Sequence, residues 1–314
     1  MRSKMEETSG ERDGGQSVRW SGRGIGLLQI HLAVVLASGP GLFAKFMTVN
    51  PAVLTTGRTF FGSLSLIAAA LLSGSSMRIH SARDFLLLLI SGALLAVHWM
   101  TFFQSIQVST VAVGLLSISS FPLFLTFLEP IFFRERIRLL DVALGVVVVA
   151  GLALVPPSFD FGDHVMQGVL WGVGSALAYA FLSLVSRLQV RRYPAVSVVL
   201  YQQSFAALCS LPLALHSSGS LSGRDLWLLV LLGVVFTGIA QWLAVSSLRH
   251  LRAYTTGLIF GLEPVYGILL AWFFLREAPG WRTFAGGVLI LGAVIVASLM
   301  TEHPEGKTES LTQL

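Results

Sequence analysis

Charged side chains are too few here to cover a water-soluble globule: Asp, Glu, Lys and Arg make up 12% of 314 residues, against roughly a quarter in ordinary soluble domains. The solvent this implies is lipid. Cysteine is nearly absent. Cys209 stands alone, which excludes an internal disulfide and a cysteine-based metal site, and as a nucleophile it would lie buried in an apolar helix without an evident base. The chain also lacks H-E-x-x-H, G-x-S-x-G and G-x-x-x-x-G-K-[ST], so an intramembrane enzyme or an ATP-driven pump finds no support, and no cofactor or metal is expected. Neither a ring of like charges nor a carbonyl-rich filter marks a channel.

What is present is apolar length. Charge is missing from Gly24 to Ala44, Thr59 to Met77, Phe85 to Leu128, Val142 to Phe159, Val165 to Ser186, Tyr193 to Gly223, Leu226 to Leu248 and Thr283 to Thr301. A spanning helix needs roughly 20 apolar residues, so the stretch after Asp84 must hold two, split near Gln104 to Ser109. The resulting expectation is an all-α integral membrane protein with ten transmembrane helices, near 24–46, 51–72, 84–104, 108–130, 138–156, 165–188, 195–216, 225–247, 252–274 and 281–300. Residues 1–23 and 301–314 mix charge with Gly and Ser and read as disordered tails; the first has no apolar run of the kind a secretory signal needs.

With the N-terminus cytoplasmic, sixteen Lys and Arg fall on inside segments and three (Arg224, Arg276, Arg282) outside, with Lys45 and Arg58 inside spans. The positive-inside rule then places both termini in the cytoplasm and accounts for the net charge of +5 without a nucleic-acid partner.

The two halves repeat. Pro51-Ala52-Val53 recurs as Pro194-Ala195-Val196, and Arg83-Asp84 as Arg224-Asp225. Pro122, Arg134, Glu135, Ala143, Gly145 and Val146 fall on Pro264, Arg276, Glu277, Ala285, Gly287 and Val288, all 142 apart. An odd number of helices per half gives the halves opposite polarity, which makes residues 24–156 and 165–300 inverted five-helix repeats. Folds of this kind hold a solute near the midplane and expose it to each face in turn.

These marks, with Pro followed thirteen residues later by Glu in each half (Pro122 and Glu135, Pro264 and Glu277) and Arg58 early in the second helix, resemble the EamA-type branch of the drug/metabolite transporter (DMT) superfamily. The resemblance implies a ten-helix carrier of amino acids or related metabolites with a central cavity lined by helices 1, 3, 4, 6, 8 and 9. Arg58 falls on Tyr201 in the second half, so a symmetric role for it does not follow.

Ionisable groups at membrane depth are costly and need a partner, a wet cavity or an interface. Glu263, near the middle of helix 9, has Phe121 as its counterpart. Burial disfavours its charged form, which suits either proton exchange or pairing with a solute amine, while the structural alternative is a protonated side chain bonded to a neighbouring helix. His98-Trp99 and Gln241-Trp242 occupy nearly matching places on helices 3 and 8, where a polar edge beside an aromatic face suits a solute; packing and interfacial anchoring are the alternatives. Gln29, His31, Gln104, Tyr179, Ser183, Gln202 and Gln203 are further cavity candidates or helix-to-helix bonds. Lys45 and Arg58 lie within snorkelling distance of the outer surface, and Glu129, Glu135, Arg134, Arg136 and Arg138, with Glu277 and Arg276 repeating the turn outside, read as structural ion clusters. Pro122 and Pro264 interrupt helices 4 and 9 at equivalent positions as hinges or packing kinks.

The expected function is secondary transport of a small metabolite across the cytoplasmic membrane, in the export direction, with proton coupling through Glu263 or as an uncoupled facilitator or exchanger, by a monomer or homodimer.

Overall fold

A computed structural model describes residues 22–300 apart from 73, 75–76, 134–138, 218–220, 248–249, 252–255 and 257–258. Expectations on the tails and on Arg134, Glu135, Arg136, Arg138, Arg249, Arg252 and Gly257 therefore fall outside the described residues. Among those described there are ten apolar helices and no strand: α1 Gly22–Phe46, α2 Pro51–Leu72, α3 Ala82–Val108, α4 Val111–Phe133, α5 Leu139–Leu154, α6 His164–Gln189, α7 Ala195–His216, α8 Gly223–Ala244, α9 Glu263–Leu275 and α10 Trp281–Ala297. Seven are long and apolar enough to span a bilayer unaided; α5, α9 and α10 are shorter. Inside lipid the backbone must satisfy itself, which is why runs rich in Val and Ile still form helices here.

Local chemistry sets several starts. Ser81 and Ser222 cap α3 and α8, each accepting a 3.1 Å hydrogen bond from the backbone N–H of the aspartate three residues on, Asp84 and Asp225. They belong to the same repeated tetrapeptide pattern, Ser81-Ala-Arg-Asp84 and Ser222-Gly-Arg-Asp225. Thr110 and Asp163 do the same for α4 and α6. Side-chain acceptance at the N-cap satisfies a donor that the helix cannot.

Packing follows a two-fold pattern in which each half supplies what the other receives. α3 lies on α6, and α8 lies on α1; α3 also touches α7, and α8 touches α2. α4 lies on α6, and α9 on α1, while α2 with α7, α5 with α10, and α4 with α9 pair across the axis. Shifting every helix by five positions returns the same set of pairs. Individual glycines obey the relation as well: a Cβ on Gly26 would strike Leu251, and one on Gly168, its counterpart 142 residues on, would strike Ser109, the counterpart of Leu251. A close approach along Gly168 and Gly172 is thus made against α3 and α4, where Ser105 Oγ donates to the Gly168 carbonyl at 2.6 Å. The fold is an all-α membrane protein of two inverted five-helix halves.

Three departures from regular helix matter for the interior. α4 breaks at Ser119 and Ser120, and α9 is preceded by a turn at Gly261 and Leu262, again 142 residues apart. Pro122 and Pro264 each follow as the second residue of the resumed helix, where a missing N–H costs nothing because that position has no intrahelical acceptor. The third departure was not legible in advance: Val234–Ile239 of α8 is a π-helical turn, with Thr237 Oγ1 donating to Leu232 O at 3.0 Å.

The outside of the bundle is apolar, with Leu72, Ile131, Trp272 and Phe273 among the exposed side chains, as a lipid-facing surface requires. Cys209 is also exposed, on α7, rather than buried as the sequence suggested.

Candidate functional site

A cavity of about 600 Å³ lies between the halves, lined from α1, α2, α3, α4, α6, α7, α8, α9 and α10. Two helices flanking the expected six, α2 and α7, bring the polar groups Arg58, Gln202 and Gln203, while α10 brings Leu291 and Val294. The cavity is sealed at the end where α1, α3 and α9 finish and α2, α4 and α8 begin. There Leu42, Phe43, Met47, Leu54, Phe102, Phe103, Ile106, Val111, Leu115, Leu229, Leu232 and Ala271 form the largest buried apolar cluster. The lining extends the other way, to Ser186 near the end of α6 and Val199 near the start of α7.

Arg58 is the residue that sequence reasoning misplaced. Its position near the start of α2 suggested snorkelling, yet it is only 4% exposed and lines the cavity. The cause is its neighbour: its guanidinium carbon sits 3.4 Å from the centroid of the Trp99 indole, a stacking contact that holds the cation inward. Nε and Nη1 are shut off from water and find no acceptor among the described residues. Trp99 in turn packs edge-on against Phe102, 5.5 Å between centroids, and beside Phe103.

His98, 2% exposed, tethers α3 to α6. Ser175 Oγ donates to the His98 carbonyl at 2.8 Å and has no second proton, so the ring contacts, 2.8 Å to Ser175 Oγ and 3.2 Å to Ser175 O, are donated from Nδ1. Tyr179 lies against His98 at 4.9 Å and edge-on to Phe121 at 5.0 Å, and all three line the cavity. Gln202 is spent on Ser186 at 2.8 Å and Gln189 at 3.2 Å. Gln203 and Gln241 also face the cavity, each with an amide oxygen lacking a partner among the described residues. Glu263 lines it from the first turn of α9, the positive end of that helix, beside Pro264.

The structure thus brings together Glu263, His98, Trp99, Gln241, Tyr179, Ser183, Gln202, Gln203, Pro122 and Pro264 from the expected set, and leaves out Trp242, Gln29, His31 and Gln104. Trp242 is 53% exposed, since successive helical residues point about 100° apart and Gln241 faces inward. Gln29 is half-buried on α1 and is not part of the lining, and His31 is engaged with the Tyr266 hydroxyl at 2.9 Å.

Of the expected ion clusters, only Glu129, Arg276 and Glu277 lie among the described residues. The cation on Glu277 is Lys45 from α1, at 3.8 Å; Arg276 instead ends α9 in the left-handed conformation, φ 56°. Glu129 pairs with Arg187 of α6 at 3.2 Å.

A profile of the EamA-like transporter family matches residues 24–155 and again residues 166–299. An uncharacterised transporter, YxxF, of Bacillus subtilis is 23% identical over 293 residues, covering 92% of this chain and 94% of its own. An S-adenosylmethionine uptake transporter of Rickettsia felis is 26% identical over 268 residues, 84% and 89% covered. A pseudopaline exporter, CntI, of Pseudomonas aeruginosa is 27% identical over 213 residues, 68% and 74% covered. One solved crystal structure superposes with a TM-score of 0.61 over 90% of this chain and 100% of its own at 23% identity, a likeness of fold. The match of the family profile to both halves, on a bundle with a cavity between those halves, identifies the chain as a member of the EamA-like transporter family and a carrier of small molecules.

Proposed function

We propose that this protein is a secondary transporter of small amino-carboxylate metabolites, working by alternating access of the halves 24–156 and 165–300, with both termini cytoplasmic and in the direction of export from a bacterial cell. The observation that carries the reading is the cavity itself. It is enclosed between the repeats, sealed at one end, walled by Trp99, Phe102, Phe121 and Tyr179, and holds a buried cation, Arg58, and a carboxylate, Glu263. Charge of both signs around an aromatic slot suits a solute bearing an ammonium and a carboxylate. Relatives are named both for uptake and for export, and the export direction proposed here rests on exchange of the solute for an incoming proton. S-adenosylmethionine, named for one of them, carries both groups.

Glu263 is the proposed proton carrier. A carboxylate in a largely apolar cavity can bind a proton or a solute amine but not both at once, and that competition couples the two fluxes. Purified protein in liposomes, given a radiolabelled amino acid outside and an imposed pH gradient, tests this. Coupling requires gradient-driven accumulation in the native protein, and retained exchange without accumulation in Glu263→Gln. A gradient that drives nothing in the native protein leaves an uncoupled facilitator.

A further inference from the structure

The Arg58 guanidinium, stacked on Trp99, is the place where the reading above becomes specific. A buried arginine normally meets its donors with carboxylates, carbonyls or water, because an unpaired charge in a low-dielectric interior is expensive. Arg58 has none of these on Nε and Nη1 among the described residues, and no hydrogen bond joins it to Glu263, the other charged group of the cavity. Stacking on the indole satisfies the face of the guanidinium and leaves its rim, which is where a planar acid binds through two parallel hydrogen bonds. Trp99 Nε1 is likewise buried without an acceptor, which adds a donor on the same wall. The same lining carries acceptors, the Gln203 and Gln241 amide oxygens and the Glu263 carboxylate. The cavity therefore holds both donors and acceptors that lack partners among the described residues.

Resting on the amino-carboxylate reading, we infer that Arg58, held by Trp99, is the carboxylate-binding residue of the solute site, and that Glu263 with Gln203 and Gln241 receives the ammonium. Specificity then lies in the solute's acid group: a molecule of the same size with that acid masked loses its contacts with Arg58 while the rest of its fit is unchanged.

The test uses the full chain in detergent and a matched set of probes: L-methionine, its methyl ester, the corresponding amino alcohol, and the deaminated acid. Thermal stability is read against probe concentration, since binding to the folded state raises it. Native protein should bind the amino acid about 10- to 100-fold more tightly than the ester or alcohol, the range expected for loss of a charged hydrogen-bond pair. In Arg58→Gln that preference should vanish, and in Arg58→Lys, which keeps the charge but not the planar fork, it should fall partway. Trp99→Leu, which leaves the cation but removes its stacking partner, should also weaken the acid selectively. Equal binding of acid and ester by native protein overturns the assignment without any variant. An acid preference that survives Arg58→Gln overturns it while leaving the carrier reading intact. If none of the four probes binds the native protein, the amino-carboxylate reading itself fails and the assignment falls with it. If Arg58→Gln and Glu263→Gln each unfold the protein and the double variant restores it, the two residues are each other's counter-ions, which also overturns the assignment.

Discussion

Lys45 on α1 and Glu277 just beyond α9 approach to 3.8 Å at the sealed end of the cavity. The lysine also donates to Ser109 O at 2.6 Å, and Glu277 accepts from the Val111 N–H at 3.1 Å, so one network ties the ends of α1, α3 and α9 to the start of α4. Both side chains are about a quarter exposed, where an ion pair contributes roughly 1 kcal/mol or less, so the network's weight is in position rather than energy. We expect Glu277→Gln to leave folding near native and to loosen this end. With Cys209 replaced by serine, a cysteine at Phe103 should then react several-fold faster with a maleimide; an unchanged rate would show that the apolar cluster alone makes the seal.

The reciprocal glycines test the two-fold packing. Gly26→Val and Gly168→Val should each cost about 1–3 kcal/mol by overpacking, seen as lower melting temperature in detergent. Gly174, which has open space where a Cβ would stand, is the control, and Gly174→Ala should be neutral or slightly stabilising. Equal losses at all three positions would mean the contacts across α1, α3, α6 and the segment after α8 are not as described.

Ser175→Ala removes the hydroxyl bridging the buried His98 ring and the His98 carbonyl. The expected loss is about 1–2 kcal/mol, with solute binding reduced less than stability, because the pair joins α3 to α6 and does not face the solute alone. A change confined to binding would reassign His98 to the solute.

The breaks at Ser119-Ser120 and Gly261-Leu262 give Pro122 and Pro264 their meaning. With alanine at either proline the helix can run on through the turn. Exchange should slow several-fold while the affinity of the stationary protein is kept; equal loss of both would make the prolines packing residues.

Much of this was legible in the linear sequence, for physical reasons that also explain the failures. Lipid forces helices, so charge-free length and the distribution of arginines were enough to count the ten segments. Depth along the expected span 252–274 singled out Glu263, which the structure sets at the first residue of α9, after the turn at Gly261 and Leu262. Depth alone misled at Arg58, which has an end of the membrane nearby but an indole nearer still, supplied by α3 some forty residues on. Adjacency misled at Trp242, since a neighbour in sequence points away in a helix. Lys45 with Glu277 and the π-helical turn at Val234–Ile239 depend on contacts between helices far apart in the chain, and no residue type announces them.

The most direct measurement follows from Ser183, which lines the cavity on α6. In the Cys209→Ser background, a cysteine at Ser183 is exposed to a membrane-impermeant maleimide added to one face of oriented vesicles or to the other. Alternating access requires labelling from both faces in separate experiments, and a disulfide joining cysteines at Lys45 and Glu277 should abolish labelling from the sealed face alone. Labelling from a single face, unaffected by that crosslink, would contradict a cavity that opens to each side in turn.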